Sequence, residues 1–449
     1  MQIQLISHAS VLITCGDIKI LTDPWYVSDV FNNSWRLLGT AKLSEKDLKS
    51  IQYIWISHEH PDHFNVPTLK SFPDYFKSEV TILFQQNNSH KIFDAMKNWG
   101  FQHFQSLGNQ QLVSLNSKTT IYCHQAQLGD SCLGVRHEKA SLLNINDAEL
   151  TERDCSLILK KFGNVDLILN QFSLAGYSGF RDYAKYLPEF AKEKRVRLEN
   201  NQKCLNAKLT IPFASFMYFS TVDNQYMNAF HNSPQNIAEY MDQRGLATKF
   251  LKLGKTLDTE EIDATENGMA FWQEQFVRID ELEYTAPERV PVEKIREAAS
   301  QFCETIAGKY PRCLLWMVRP LKIYIPDLKA LVLFSLTDKT LELMDSGEAF
   351  QDEADLIIYS QPLYFGFKFS FGFETLAVSA RILVNRKYRS WEILKIISIL
   401  FNKEIFLHWR YIFNKQTRLY LQERLRHGLF QQLFHKAVRN FKIRRHLVD

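Results

Sequence analysis

The chain has 449 residues, 45% of them hydrophobic and 23% charged, with a formal net charge of +4. That length exceeds one ordinary core, so two domains are expected, and the composition excludes a disordered or fibrous chain. The small charge gives no case for nucleic acid as partner. Seven cysteines without a Cys-x-x-Cys spacing argue against a disulfide framework or a cysteine zinc ribbon, and for free thiols.

From the N-terminus, Ile3–Ile6 and Val11–Cys15 read as short strands. Gly16 and Asp17 form a turn, and Ile18–Leu21 is a third strand ending in Thr22-Asp23-Pro24-Trp25. Ile51–Ser57 is a buried-type strand that delivers the chain into His58, and Pro67–Phe72 reads as a short helix stopped by Pro73. Strand Val80–Phe84, helix His90–Trp99 and strand Thr119–His124 follow. Cys132–Val135 and Leu142–Ile145 pattern as a hairpin. Val165–Asn170 is an apolar strand before the turn-rich Ser173–Gly179. A charged helix covers Asp182–Asn200, and Lys208–Pro212 is a further strand. Strands alternating with helices predict an α/β layered domain over residues 1–250, two sheets with helices outside. Residues 251–310 read as a helical linker broken at Pro287 and Pro291. Residues 311–449 read as a smaller α+β domain with strands Leu321–Ile325, Ala330–Ser335, Thr340–Met344 and Asp355–Ser360, then a basic helical tail from Trp391.

Met1–Ile13 has no basic stretch leading into an apolar one, so no secretory signal is expected. The apolar run Ile393–Leu407 is broken by Lys395, Asn402, Lys403 and Glu404, so no transmembrane segment is expected either, and the expected location is cytoplasmic. In the tail, Arg424, Arg426, Lys436, Arg439, Lys442, Arg444 and Arg445 read by default as a solvated helix face. An anionic small-molecule substrate, an acidic lipid or a partner protein is the alternative.

The densest chemical signal is Ser57-His58-Glu59-His60-Pro61-Asp62-His63. Residues two apart in an extended segment point the same way, so His58 and His60 can grip one metal ion, while Asp62 and His63 reach a second beside it. Imidazole with carboxylate suits zinc, iron or manganese. Three histidines and an aspartate in six residues, directly after a buried strand, are poorly explained as surface polarity. No G-x-G-x-x-G phosphate loop and no G-x-S-x-G nucleophile elbow is present.

This motif, with the Thr22-Asp23-Pro24 strand end, resembles the metallo-β-lactamase fold superfamily over residues 1–250. Ser7-His8-Ala9-Ser10-Val11-Leu12-Ile13 is similar to the branch holding N-acyl-phosphatidylethanolamine phospholipase D and ascorbate-lactonase-like proteins. Asp130-Ser131-Cys132-Leu133, Asn144-Ile145-Asn146-Asp147-Ala148, Gln171-Phe172-Ser173 and Ile211-Pro212-Phe213-Ala214-Ser215 resemble the corresponding domain of CMP-N-acetylneuraminate hydroxylases. The resemblance implies an αββα sandwich binding two divalent metals, zinc, iron or manganese. His58, His60 and His124 would hold the first metal, Asp62 and His63 the second, and Asp147 would bridge them, with Asp23 orienting the ligands. From the residues alone, His124 reads equally as a packed polar residue, and Asp147 as a turn residue or helix N-cap. His8 is either site-lining or a structural hydrogen-bonding residue.

Two departures stand out. His124-Gln125-Ala126-Gln127 replaces the usual His-Thr-x-Gly, and Pro212-Phe213-Ala214 stands where the last histidine is expected. His231, His137 and Asp223 are candidates for the missing ligand. The first functional expectation is a hydrolase in which a metal-bridged hydroxide attacks an ester, lactone or phosphodiester, with Asp62 passing a proton to the leaving group. The alternative is a di-iron oxygenase of a nucleotide sugar or other tailored metabolite. Hydroxylases of that family carry a Rieske cluster needing paired cysteines and histidines, a spacing absent from these 449 residues, so an electron-donor protein is then a partner. A third reading is a non-catalytic scaffold. Ala354–Ser360 with the Phe-rich 365–375 faintly resembles a sterol-carrier-like module; a plain aromatic core is the simpler reading.

Overall fold

The structure, a computed structural model, describes residues 1–86, 91–126, 129–177, 179–411, 414 and 417–418. The basic tail from Arg424 onward therefore lies outside the described residues. The chain forms two compact units. The first is Met1–Pro287 with Val378–Arg381, and the second is Glu288–Ala377 with the residues from Ile382 on.

The first unit opens with β1 (Gln2–Leu5), β2 (Val11–Cys15), β3 (Ile18–Thr22) and the short β4 (Trp35–Leu37). Helix α1 (Glu45–Ser50) starts at a Ser44/Asp47 capping box and leads to β5 (Tyr53–Ile56). Helices α2 (Val66–Ser71) and α3 (Asp74–Glu79), strand β6 (Thr81–Gln85), helix α4 (Lys91–Asn98) and strand β7 (His103–Leu107) follow. Next come β8 (Gln111–Ser114), β9 (Thr119–Gln125), β10 (Ser131–His137), β11 (Ala140–Asn146), α5 (Glu152–Lys161), β12 (Leu167–Gln171), α6 (Leu187–Leu205) and β13 (Leu209–Phe213). The unit closes with β14 (Met217–Phe219), α7 (Pro234–Asp242), β15 (Thr256–Asp258) and α8 (Met269–Val277).

These strands make a seven-stranded sheet, β15-β1-β2-β3-β5-β6-β7, and a six-stranded sheet, β13-β12-β11-β10-β9-β8. Each begins antiparallel on one side and turns parallel on the other. Side-chain alternation then sorts three apolar layers. Ile3, Val11, Ile13, Ile121, Cys123, Leu133, Val135 and Leu169 meet between the sheets. Leu21, Ile54, Ile56, Ile82 and Phe84 pack outward against Leu69, Phe72, Phe76, Ile92 and Met96 of the helical side. Tyr122, Cys132, Leu143, Ile145 and Ile168 pack outward against Cys155, Ile158, Phe162 and Leu205. The result is the expected helix–sheet–sheet–helix stack.

Packing in the third layer is tight at Gly134 of β10. A Cβ there would stand 2.9 Å from Phe162 Cε2 and 3.1 Å from Tyr122 Cβ. Gly134→Ala is expected to push the Phe162 ring off its stack on Tyr122, whose centroid is 5.4 Å away, at a cost of about 1–3 kcal/mol. Urea unfolding followed by circular dichroism measures this, and an unchanged midpoint would show that the ring has room to move.

The first unit extends past the expected limit at residue 250. β15 pairs antiparallel with β1, Ile3 opposite Leu257. On α8, Trp272 is fully buried and stacks on Phe216 with centroids 3.8 Å apart. Four residues from far down the chain also belong here. Asn224 donates to Ser379 O, Tyr226 OH donates to Ala380 O, and the buried Arg381 guanidinium meets Asp223 at 2.7 Å and donates to Asn32 O. Gly176 (φ +90°) lies against Val378, whose carbonyl oxygen would collide with any Cβ at 2.1 Å.

In the second unit, α9 (Val292–Ala307), expected as part of a linker, is a core helix: Ile295, Ala299, Phe302, Cys303 and Ile306 are buried in that unit's apolar cluster. After the short α10 (Arg312–Trp316) come β16 (Leu321–Ile325), β17 (Ala330–Ser335), β18 (Thr340–Ser346) and the two-residue β19 (Leu356–Ile357). Helices α11 (Ser360–Lys368) and α12 (Gly372–Val378), strand β20 (Leu383–Val384) and helix α13 (Tyr388–Asn402) complete it. The sheet order is β18-β17-β16-β19-β20. The strand expected over Asp355–Ser360 is cut short because Ser360 begins α11, its backbone N–H and hydroxyl both held by Asp327. Phe302, Phe334, Phe367 and Phe373 pack with centroids 4.9–5.6 Å apart, an aromatic core. Among the described residues no helix is long and apolar enough to cross a membrane.

Candidate metal centre

The site collects at strand ends. Asp23 follows β3, His58 to His63 follow β5, Asp147 follows β11, and His8 sits in the turn between β1 and β2. The β5 exit is fixed by Asp23, fully buried at φ +36°. One of its oxygens accepts from Ser57 N (2.7 Å). The other takes Ser57 Oγ (2.8 Å), His63 Nδ1 (3.0 Å) and the Asn146 amide. Holding His63 through Nδ1 leaves Nε2 with its lone pair directed elsewhere, as a ligating histidine requires.

Asp147 Oδ2 lies 3.7 Å from His58 Nε2 and 3.7 Å from His63 Nε2. His60 Nδ1 is 2.9 Å from His58 Nε2, and the His60 ring lies 5.9 Å from that of Phe31. Asp62 Oδ2 is 3.2 Å from His63 Nε2 and 3.6 Å from His8 Nε2. Two groups can each close on one ion: His58, His63 and Asp147, and His8, Asp62 and His63, with ligand atoms within 4.8 Å of one another in each. Asp130, just before β10, approaches His58 Nδ1 at 3.9 Å.

The electrostatics are those of a cation site. Burial lowers the pKa of His8, His58 and His60, which keeps these rings neutral with lone pairs available. Burial also opposes a charge on His63, but Asp62, Asp147 and Asp23 outweigh it and hold its proton well above the usual histidine range. Burial raises Asp62 and Asp147, yet the surrounding imidazoles prevail and both carboxyls lie below their ordinary value. His8 Nδ1 and Nε2, His63 Nε2, Asp62 Oδ1 and Asp147 Oδ1 are buried without a hydrogen-bond partner. Five such atoms in one spot would each cost about 1–3 kcal/mol if left bare, and bound cations would relieve them. The residues present therefore fit a pair of metal ions.

Other candidate ligands are placed elsewhere. His124 shares the face of β9 with Tyr122, toward α5. Its Nε2 is 3.2 Å from Asp154 Oδ1 and its Nδ1 3.3 Å from Tyr122 OH. The strand's alternation thus turns it away from the inter-sheet side, and it joins neither group. His137 is bonded to Thr119 Oγ1 (2.9 Å), and Asp223 pairs with Arg381. His231 bonds Ser173 Oγ through Nδ1 (3.0 Å), and burial with the nearby His8 lowers its pKa to about 3. Sequence reasoning singled out neither His8 nor Asp130 as a ligand. The only signal was the polar turn Ser7–Ser10 and the carboxylate at the start of the Asp130–Leu133 segment.

The four-layer stack carries this cluster of imidazoles and carboxylates at its strand ends. Residues 2–134 match the family model of the Beta-lactamase superfamily domain. Over 252 residues the chain is 23% identical to a Mycobacterium tuberculosis protein named for a Rieske 2Fe-2S iron-sulfur centre, covering 53% of this chain and 48% of that protein. It is 26% identical over 282 residues to the human inactive cytidine monophosphate-N-acetylneuraminic acid hydroxylase, covering 57% of this chain and 54% of that one. The chain thus spans about half the length of these relatives. Among solved structures it is similar to an isothiocyanate hydrolase from Delia radicum gut bacteria, with 15% identity and a TM-score of 0.42, covering 57% of this chain and 99% of that one.

Proposed function

We propose that the chain is a non-haem di-iron oxygenase that hydroxylates a small molecule, drawing electrons from a donor outside this sequence. One observation carries the reading. With His124 turned toward Asp154, no three-imidazole set remains at the first position, and each of the two groups joins two imidazoles to one carboxylate. Two imidazoles with one carboxylate and open positions is the facial set of non-haem iron oxygenases; hydrolytic zinc sites share it, so the relatives weigh the choice. The similarity to hydroxylase and Rieske-named proteins supports the same reading.

In this reading His58 and Asp147 would hold the first iron, with His60 and Asp130 beside them, and Asp62 and His63 would hold the second, His63 lying within reach of both. Bound there, the metals supply the reduction of O2, for which zinc has no redox chemistry. The overall balance is R–H + O2 + 2 electrons + 2 protons giving R–OH + H2O. The chain's own contribution is to keep His63 in one tautomer through Asp23 and to shield the centre, since His58, Asp62 and His63 are all buried. The sequence has no paired cysteine–histidine spacing for a Rieske centre, so the two electrons arrive from elsewhere.

A zinc hydrolase is the second reading, favoured by the match to the Beta-lactamase superfamily domain model over residues 2–134. Elemental analysis of protein purified without added metal separates the two. Two irons per chain, with O2 uptake on addition of a reductant, are expected. Zinc alone, with turnover of a phosphodiester or lactone, would overturn the oxygenase.

A further inference from the structure

We propose that His8 is a ligand of the second metal and supplies the imidazole that the sequence lacks at Pro212–Ala214, an inference that rests on the metal-binding reading above. His8 is 1% exposed, and neither ring nitrogen has a hydrogen-bond partner. Its Nε2 is 3.6 Å from Asp62 Oδ2. Asp62 Oδ1 and His63 Nε2 are likewise buried and unpartnered, so three residues direct orphaned atoms toward one another. A packed structural histidine would bond at least one nitrogen, as His137 and His231 both do.

The backbone explains how a residue so early in the chain reaches this place. The turn holding His8 is closed by Ile6 N and Ser7 N on Ser10 O. Ser7 Oγ donates to Trp25 O, and Thr22 Oγ1 donates to Ala9 O, which tie the turn to the end of β3. On the other side, Ala214 N donates to His8 O at 2.8 Å. His8 is therefore the hydrogen-bonded neighbour of the position where a histidine was expected, and Ala214 offers only a methyl group there. The His8 ring stands edge-on to Trp25 (5.4 Å) and to His63 (6.2 Å), which fixes its plane.

The test is a zinc titration of the metal-free full-length chain, read as bound metal by elemental analysis, for the wild type, His8→Ala and the control His137→Ala. Wild type and His137→Ala are expected to bind two zinc ions. His8→Ala should keep the first and weaken the second by at least about tenfold, the low end for losing even an outer-sphere partner. A second zinc bound as tightly by His8→Ala as by the wild type would overturn the proposal while leaving the metal centre intact. Should His8→Ala not fold, anomalous scattering from the zinc-loaded wild type decides the matter. An ion about 2.0–2.1 Å from His8 Nε2 is expected, and one held by Asp62 and His63 with His8 out of reach would refute it. No zinc on the wild type would refute the metal-binding reading itself.

Discussion

Asp147→Ala should strip metal from both positions of the full-length chain together, whereas His58→Ala should chiefly empty the first. The reason is geometric. Asp147 Oδ2 is 3.7 Å from His58 Nε2 and the same distance from His63 Nε2, so one carboxylate lies between an imidazole of the first metal position and one of the second. Loss of an outer partner of a metal ligand typically weakens metal binding 10–100-fold, and loss of a carboxylate shared by two ions should exceed about 100-fold at each. The fold should survive, because Asp147 Oδ1 has no hydrogen-bond partner to lose and its Oδ2 meets His58 and His63 only at 3.7 Å. Bound metal is read by elemental analysis and folding by circular dichroism. Retention of one tightly bound metal in Asp147→Ala would mean that the carboxylate serves one position only.

The second large effect is structural and is expected at Asp23. Its two oxygens receive Ser57 N, Ser57 Oγ, His63 Nδ1 and the Asn146 amide, all buried. Alanine would remove the acceptor these four donors share, leaving Ser57 Oγ to turn to His58 Nδ1, the Asn146 amide to Ser57 Oγ, and His63 without the partner that sets its tautomer. Breaking a buried charge-assisted network of this kind costs about 3–5 kcal/mol, a large share of the 5–15 kcal/mol that holds an ordinary domain together. Asp23→Ala is therefore expected to lower the unfolding free energy by that amount even in metal-free protein, unlike Asp147→Ala. Urea denaturation in the presence of a chelator measures it. A change below about 1 kcal/mol would show that water takes over the acceptor role.

How much of this could be read from residues alone depended on distance along the chain. The alternation of strands and helices, the hairpin of β10 and β11 and the dense His58–His63 segment are local patterns, and local patterns were legible. That Asp23 and Asp147 lie beside the His58–His63 segment was legible through the resemblance of the segments around them. His124 was not, because its role turns on which face of β9 it occupies. Tyr122 packing on Phe162 and Asp154 capping α5 together set that face. His8 was open for a different reason. Its neighbour Ala214 is more than two hundred residues away, and only the backbone bond between them reveals the connection. The limit of the first unit was hidden likewise, since β15 finds β1 from the opposite end of the domain.

The four residues Val378–Arg381 bear on how this protein can be inherited. Arg381 and Asp223 are 1% and 2% exposed, and each is the other's counter-charge. A recombination event that exchanged residues 1–287 with those of a relative would carry away the carboxylate and leave the guanidinium behind. The incoming partner would then bury an uncompensated charge, unless it brought a neutral residue to that place. Substitutions at these two positions should accordingly occur together in descendants of this gene, and a chimaera joined at Pro287 should need a matching change near residue 381.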